Sequence, residues 1–169
     1  ALAKYGAIDS WLVGDVQDMS LLFDGKTTFN DDIGGWDTSR VTSMDSIFYE
    51  ARNFSQDVNG WNVSAVLDLS HAFRSADKFN QALNSWDTSA VTSLEYAFAQ
   101  ATNFDQPLDS WNVSRVKTLQ TAFFQATKFN QDINSWDVSA VTSLEHTFRG
   151  YSYHVRIAFN QDIDGWDVS

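Results

Sequence analysis

The chain has 169 residues, 22 acidic against 11 basic and no cysteine, for a formal net charge of -11. That field repels nucleic-acid phosphates and anionic lipid heads, and the lack of cysteine removes disulfides, thiolate metal sites and a thiol nucleophile. With 43% hydrophobic and 15% aromatic residues the chain has the material for a packed interior, which excludes global disorder.

Tryptophan sets the period. Trp11, Trp36, Trp61, Trp86, Trp111 and Trp136 are each 25 residues apart, and Trp166 follows after 30. A constant spacing of the largest apolar side chain marks a repeat array, in which each unit buries its core against its neighbours. The expectation is a single solenoid domain over 1–169, with a degenerate first unit at 1–28, regular units at 29–148, an insert at 149–158 and an incomplete last unit at 159–169.

The first unit keeps the apolar register at Ile8, Trp11, Val13, Val16, Met19 and Phe23 but has Leu12 and Gly14 where later units carry polar residues. Departures of this kind are expected at the water-facing end of an array. In the regular units, Val41, Met44, Ile47, Phe48 and Ala51, like Val91, Leu94, Ala97, Phe98 and Ala101, recur at steps of three and four. That spacing predicts one face of a short helix. Thr42-Ser43-Met44-Asp45, Thr92-Ser93-Leu94-Glu95 and Thr142-Ser143-Leu144-Glu145 fit capping boxes that would start it. Trp36-Asp37-Thr38 and Trp136-Asp137-Val138 alternate as a short strand would, and Asp32-Ile33, Asp132-Ile133 and Asp162-Ile163 are a second candidate position. Pro107, lacking a ladder donor, favours the first. The fold class expected is therefore an α/β repeat solenoid of leucine-rich-repeat type, a right-handed coil with one short parallel strand and one short helix per unit.

After Phe148 the segment Arg149 to Ala158 is five residues longer than the corresponding linkers and collects Tyr151, Tyr153, His154 and Arg156. Loops on a rigid scaffold carry recognition, and Tyr and Arg dominate binding hot spots, so these four are the candidate protein-binding residues. The chain ends in mid-unit at Trp166-Asp167-Val168-Ser169, and further chain or a partner is expected to cover this last coil.

Polar residues also recur in register. Asp37, Asn62, Asp87, Asn112, Asp137 and Asp167 follow the tryptophans, and Asn30, Ser55, Asn80, Asp105, Asn130 and Asn160 follow a phenylalanine. Stacked carboxylates could hold calcium. The alternation of Asp with Asn favours instead a local role, side-chain oxygens accepting backbone amides at tight corners. The seven tryptophans read as an interior stack, and an exposed platform for sugar is the lesser alternative. His71, His146 and His154 occupy unrelated positions in their units, and no phosphate loop, His-Glu-x-x-His or EF-hand pattern occurs. Neither enzymatic activity, nor a cofactor, nor a metal site is expected. No apolar run approaches the roughly 20 residues that span a bilayer, so no direct membrane insertion is expected.

The runs Trp-Asp-Val-Ser-x-Val-Thr-x-Leu-x-x-x-Phe at 136–148 and Phe-Asn-Gln-Asp-Ile at 129–133 and 159–163 resemble the BspA-like surface-protein repeat, over residues 8–169. That repeat is abundant in mycoplasma-type surface lipoproteins. The resemblance implies a leucine-rich-repeat-like right-handed solenoid in surface or secreted proteins that mediate adhesion or protein contacts. The functional expectation is a non-enzymatic protein-interaction or adhesion module, extracellular, at the cell surface or membrane-peripheral, whose partner is a protein, in one version part of a membrane-associated complex, and not a nucleic acid. The alternative is a repetitive surface-binding or spacer solenoid facing ice, mineral or glycan.

Overall fold

The structure, a computed structural model, describes residues 6–150 and 156–167. Successive 25-residue units lie one on another as coils, and each coil donates and accepts hydrogen bonds in register with its neighbours. The expected α/β architecture is not what forms. Among the described residues the one helical element is a 3-10 turn at Ile8–Ser10, and the strand content is a column of single-residue parallel bridges, Asp18 to Ser43 to Asp68 to Ser93 to Thr118 to Ser143.

The coil containing Val91 to Phe104 shows why. A helix would send the Phe98 amide to the carbonyl of Leu94, four residues back. Instead Leu94, Tyr96, Phe98 and Gln100 donate to Thr118, Gln120, Ala122 and Phe124 of the next coil, at 2.6–3.2 Å. The intervening Ala97, Ala99 and Ala101 donate locally, three residues back, to Leu94, Tyr96 and Phe98 at 3.1 Å. Amides thus alternate between a neighbouring coil and a tight turn. Two of these turns, Leu94 to Ala97 and Phe98 to Ala101, carry a left-handed residue in third place, Tyr96 and Gln100 at φ 55° and 61°. The same two registers are left-handed at Ser46 and Glu50, His71 and Ser75, and Thr121 and Gln125, while Gly25 takes the second in the first coil.

A chain of four-residue turns puts apolar side chains inward at steps of three and four, as a helix does. That shared spacing is the reason the helix expectation fails. The supposed capping boxes have other work: the hydroxyls of Thr42, Thr92 and Thr142 donate to the carbonyls of Gln17, Leu67 and Lys117 one coil earlier, at 2.9–3.1 Å. The expected strands at the tryptophans are also absent. Trp36, Trp86 and Trp136 close turns on Ile33, Leu83 and Ile133, and the bridges lie seven residues later, at Ser43, Ser93 and Ser143.

The interior is three aromatic columns. Phe23, Phe48, Phe73, Phe98, Phe123 and Phe148 stack with ring centroids 5.4–5.6 Å apart. Phe29, Phe54, Phe79, Phe104, Phe129 and Phe159 form a second column at 5.8–6.1 Å. Trp36 on Trp61, Trp86 on Trp111 and Trp136 on Trp166 lie at 6.1–6.3 Å. Trp36 through Trp136 are buried, and each indole N–H is satisfied by a carbonyl of the preceding coil, in order Ile8, Ile33, Val58, Leu83 and Leu108, at 2.9–3.0 Å. The steps widen away from the bridges, where strand-like spacing of about 4.8 Å holds the coils together.

The insert leaves this packing intact. Phe148 and Phe159 stack at 4.0 Å, as Phe123 and Phe129 do at 4.2 Å without an insert. Trp166 then donates to Ile133 at 3.0 Å. Phe159 and Trp166 thus keep the register of the preceding coils.

Candidate functional site

The ladder after the tryptophans is a row of exposed turn caps. Oδ1 of Asp37, Asn62, Asp87, Asn112 and Asp137 accepts the amide of the serine two residues on, Ser39, Ser64, Ser89, Ser114 and Ser139, at 3.0–3.1 Å. In three of these turns the serine hydroxyl also donates to the same oxygen, at 2.7 Å. Hydrogen bonding to Ser39, Ser89 and Ser139 holds the carboxyls of Asp37, Asp87 and Asp137 below the usual aspartate range. Asp167, at the same register, is exposed.

The second row works between coils. The side-chain oxygens of Asn30, Asn80, Asp105 and Asn130 accept amides of Ser55, Asp105, Asn130 and Asn160, at 2.8–2.9 Å. The glutamines beside them add Gln56 to the Asn30 carbonyl and Gln131 to Asp105, at 2.8 Å each. Both rows therefore organise backbone. Among the described residues no group of three or more His, Asp or Glu side chains is arranged to hold a metal ion.

Of the four insert residues, Tyr151, Tyr153 and His154 lie outside the described residues, and Arg156 is exposed. A different face offers a site that reading along the chain missed. Its residues come from the turn segment, at the first left-handed register and at the position just before the second. Down the coils one register reads Leu21, Ser46, His71, Tyr96, Thr121, His146, and the other Asp24, Tyr49, Arg74, Ala99, Phe124, Arg149. Where the interior repeats, these positions change at every step.

The strip is built of rings and cations. The Arg74 guanidinium lies between the rings of Tyr49 and Tyr96, 5.1 and 4.9 Å from their centroids. Tyr96 stacks in turn on His71 at 4.9 Å, with the rings 5° from parallel. Nδ1 of His71 faces Asp45 at 3.5 Å, and Nδ1 of His146 faces Glu145 at 3.1 Å. Nε2 of His146 contacts the Arg149 guanidinium. Tyr96, Thr121, Phe124, His146 and Arg149 line a surface concavity of about 290 Å³.

Each member is positioned by the backbone that defeats the helix. A left-handed residue at Tyr96 turns its side chain outward beside Arg74, while Phe98, two residues on, points into the core at 1% exposure. The signal for this face is available in the sequence once the units are aligned and read across: the columns that refuse to repeat, next to columns that do, mark residues free of the stacking constraint. Chemically the strip can stack, pair with carboxylates and donate hydrogen bonds.

No curated protein and no solved structure matches the chain. A family model matches residues 2–105 and again 68–169, so that the two overlapping matches span the repeats. The chain belongs to the family described as "Mycoplasma protein of unknown function, DUF285".

Proposed function

We propose that the chain is a non-enzymatic protein-interaction module whose binding surface is the strip from Tyr49 to Arg149. The observation that carries this reading is the break in repetition: an array that holds its aromatic columns constant varies these two registers, and between Tyr49 and Arg149 places Tyr, Arg, His or Phe at all but the buried Ala99 and Thr121. Tyr and Arg are the residues that concentrate binding energy at protein interfaces. Arg149, the end of the strip, directly precedes Tyr151, Tyr153 and His154 in sequence, so these residues belong to the same proposal as an extension of the strip. Placement at the cell surface, outside the cell or at the membrane periphery, and the BspA-like adhesion role, are supported by the repeat resemblance. No helix among the described residues is long and apolar enough to cross a membrane.

A face that works by repetition fits less well. The threonines that recur in alternate coils spend their hydroxyls on the carbonyls of Gln17, Leu67 and Lys117, and Trp36 through Trp136 are interior. The test is capture of protein partners from the source organism on immobilised chain, with Tyr96→Ala/Phe124→Ala compared against replacement of residues 149–158 by a linker of regular length. The expected result is partners retained by the parent chain and lost from the strip variant, with the linker variant reduced. Equal capture by all three would overturn the assignment of the face.

A further inference from the structure

Arg74 stands apart in a chain with twice as many acids as bases. Arg40 and Arg52 pair with Asp15 and with Asp77 and Glu50, within 2.6–4.0 Å. Among the described residues Arg74 meets no carboxylate; it is held by two tyrosine faces, and its Nε is buried with no hydrogen-bond partner. A guanidinium fixed by stacking, with its remaining donors unspent, is preorganised for a planar anion. Arg149 occupies the same register three coils on and also meets no carboxylate there, its contact being the His146 ring. Between the two lie Ala99, buried and short, and Phe124 beside the concavity.

Three steps of the 4.9 Å separation seen between His71 and Tyr96 put the two arginines about 15 Å apart. In an extended chain, side chains at i, i+2 and i+4 share one side, and the outer two are about 13–14 Å apart. The side-chain reach of arginine covers the remaining ångström. The middle residue then falls between Ala99 and Phe124, against the apolar wall. We infer that the strip takes an extended acidic peptide of the form acid–x–apolar–x–acid, with the carboxylates on Arg74 and Arg149 and the apolar side chain between them. The inference rests on the interaction reading above and deepens it. A polyphosphate backbone is the poorer occupant, because it would also set charge against Ala99 and Phe124, where the strip offers no cation, whereas the peptide places only two carboxylates, one on each arginine.

The test is fluorescence anisotropy at low salt with a labelled peptide containing glutamate–serine–phenylalanine–serine–glutamate, its double-glutamine counterpart, and a version with two further serines between the acids. An oligothymidylate of ten nucleotides serves as competitor. The expected result is saturable binding of the first peptide only, weakened at least about fivefold by Arg74→Gln and by Arg149→Gln. Arg40→Gln, whose guanidinium pairs with Asp15 and lines no part of the strip, should leave it unchanged. Arg74→Lys keeps the charge but loses the planar fork, and separates a binding effect from any loss of packing when urea midpoints are compared. Equal binding of the glutamate and glutamine peptides, no binding by either, or displacement by the oligonucleotide at lower concentration than by unlabelled peptide would overturn the inference. If these peptides fail while strip variants still lose partner capture, the ligand class is wrong and the interaction face stands; if both fail, both readings fall.

Discussion

Phe48, Phe73, Phe98 and Phe123 keep one residue type through four coils, whereas the positions immediately after them, Tyr49, Arg74, Ala99 and Phe124, never repeat. Neighbours in the chain are thus under opposite constraints. An interior phenylalanine is clasped by its copies above and below, so a change is felt in two contacts at once. The next residue lies outside that column, half-buried at Tyr49, Arg74 and Phe124 and buried only at Ala99, so no stack of identical copies dictates its type. The regular columns hold the coils in register, and the irregular ones are then free to carry recognition.

The largest break in this contrast is expected from the interior. Phe98 is fully buried and stacks on Phe73, Phe104 and Phe123. Phe98→Ala should cost about 3–5 kcal/mol of stability, read as a fall in the urea midpoint, whereas Tyr96→Ala two residues away should cost about 1 kcal/mol or less. Comparable losses at the two sites would mean that the strip is structural and would weaken its assignment as a binding face.

A smaller effect is expected from the rows between coils. Asp105 accepts both the Asn130 amide and the Gln131 side chain. Asp105→Ala leaves that amide without its partner and should lower stability by about 1–2 kcal/mol. Asn at this position, already present in neighbouring coils, should restore most of it.

Thr121 sharpens the comparison from the other side. It is β-branched and left-handed at φ 57°, a conformation disfavoured for such a residue. Thr121→Gly should raise the unfolding midpoint, by up to about 1 kcal/mol in stability. A clear loss would show that packing of the buried threonine outweighs the backbone strain.

The smallest effect concerns the turn caps. Hydrogen bonding lowers the carboxyls of Asp37, Asp87 and Asp137 in the folded chain. A group whose folded pKa is depressed stabilises fully above its unfolded value, and that contribution fades as pH falls through the folded one. Replacing all three by Asn, which already caps the same turn at Asn62 and Asn112, should flatten the decline in urea midpoint below about pH 4. An unchanged acid limb would show that these carboxyls are not held low.

Much of the site-building chemistry can be read from residue types. Asp or Asn two positions before Ser announces a capped turn, and the Asp-to-Asn exchange between coils already argues against a cation ladder. The strip from Tyr49 to Arg149 was illegible along the chain because its members are 25 residues apart and share no motif. They meet only when the coils stack, and their signature is failure to repeat.

By itself, then, the sequence determined the period, a mycoplasma-type repeat, and the aromatic columns except at Trp11, which is exposed in the first coil. Each follows from side chains whose spacing is visible in one dimension. The path of the backbone was decided by tertiary structure. Steps of three and four between apolar residues suit a helix and a chain of tight turns equally. What separates the two is whether the Phe98 amide finds Leu94 in its own coil or Ala122 in the next. That partner lies 24 residues away and becomes available only once the neighbouring coil is in place.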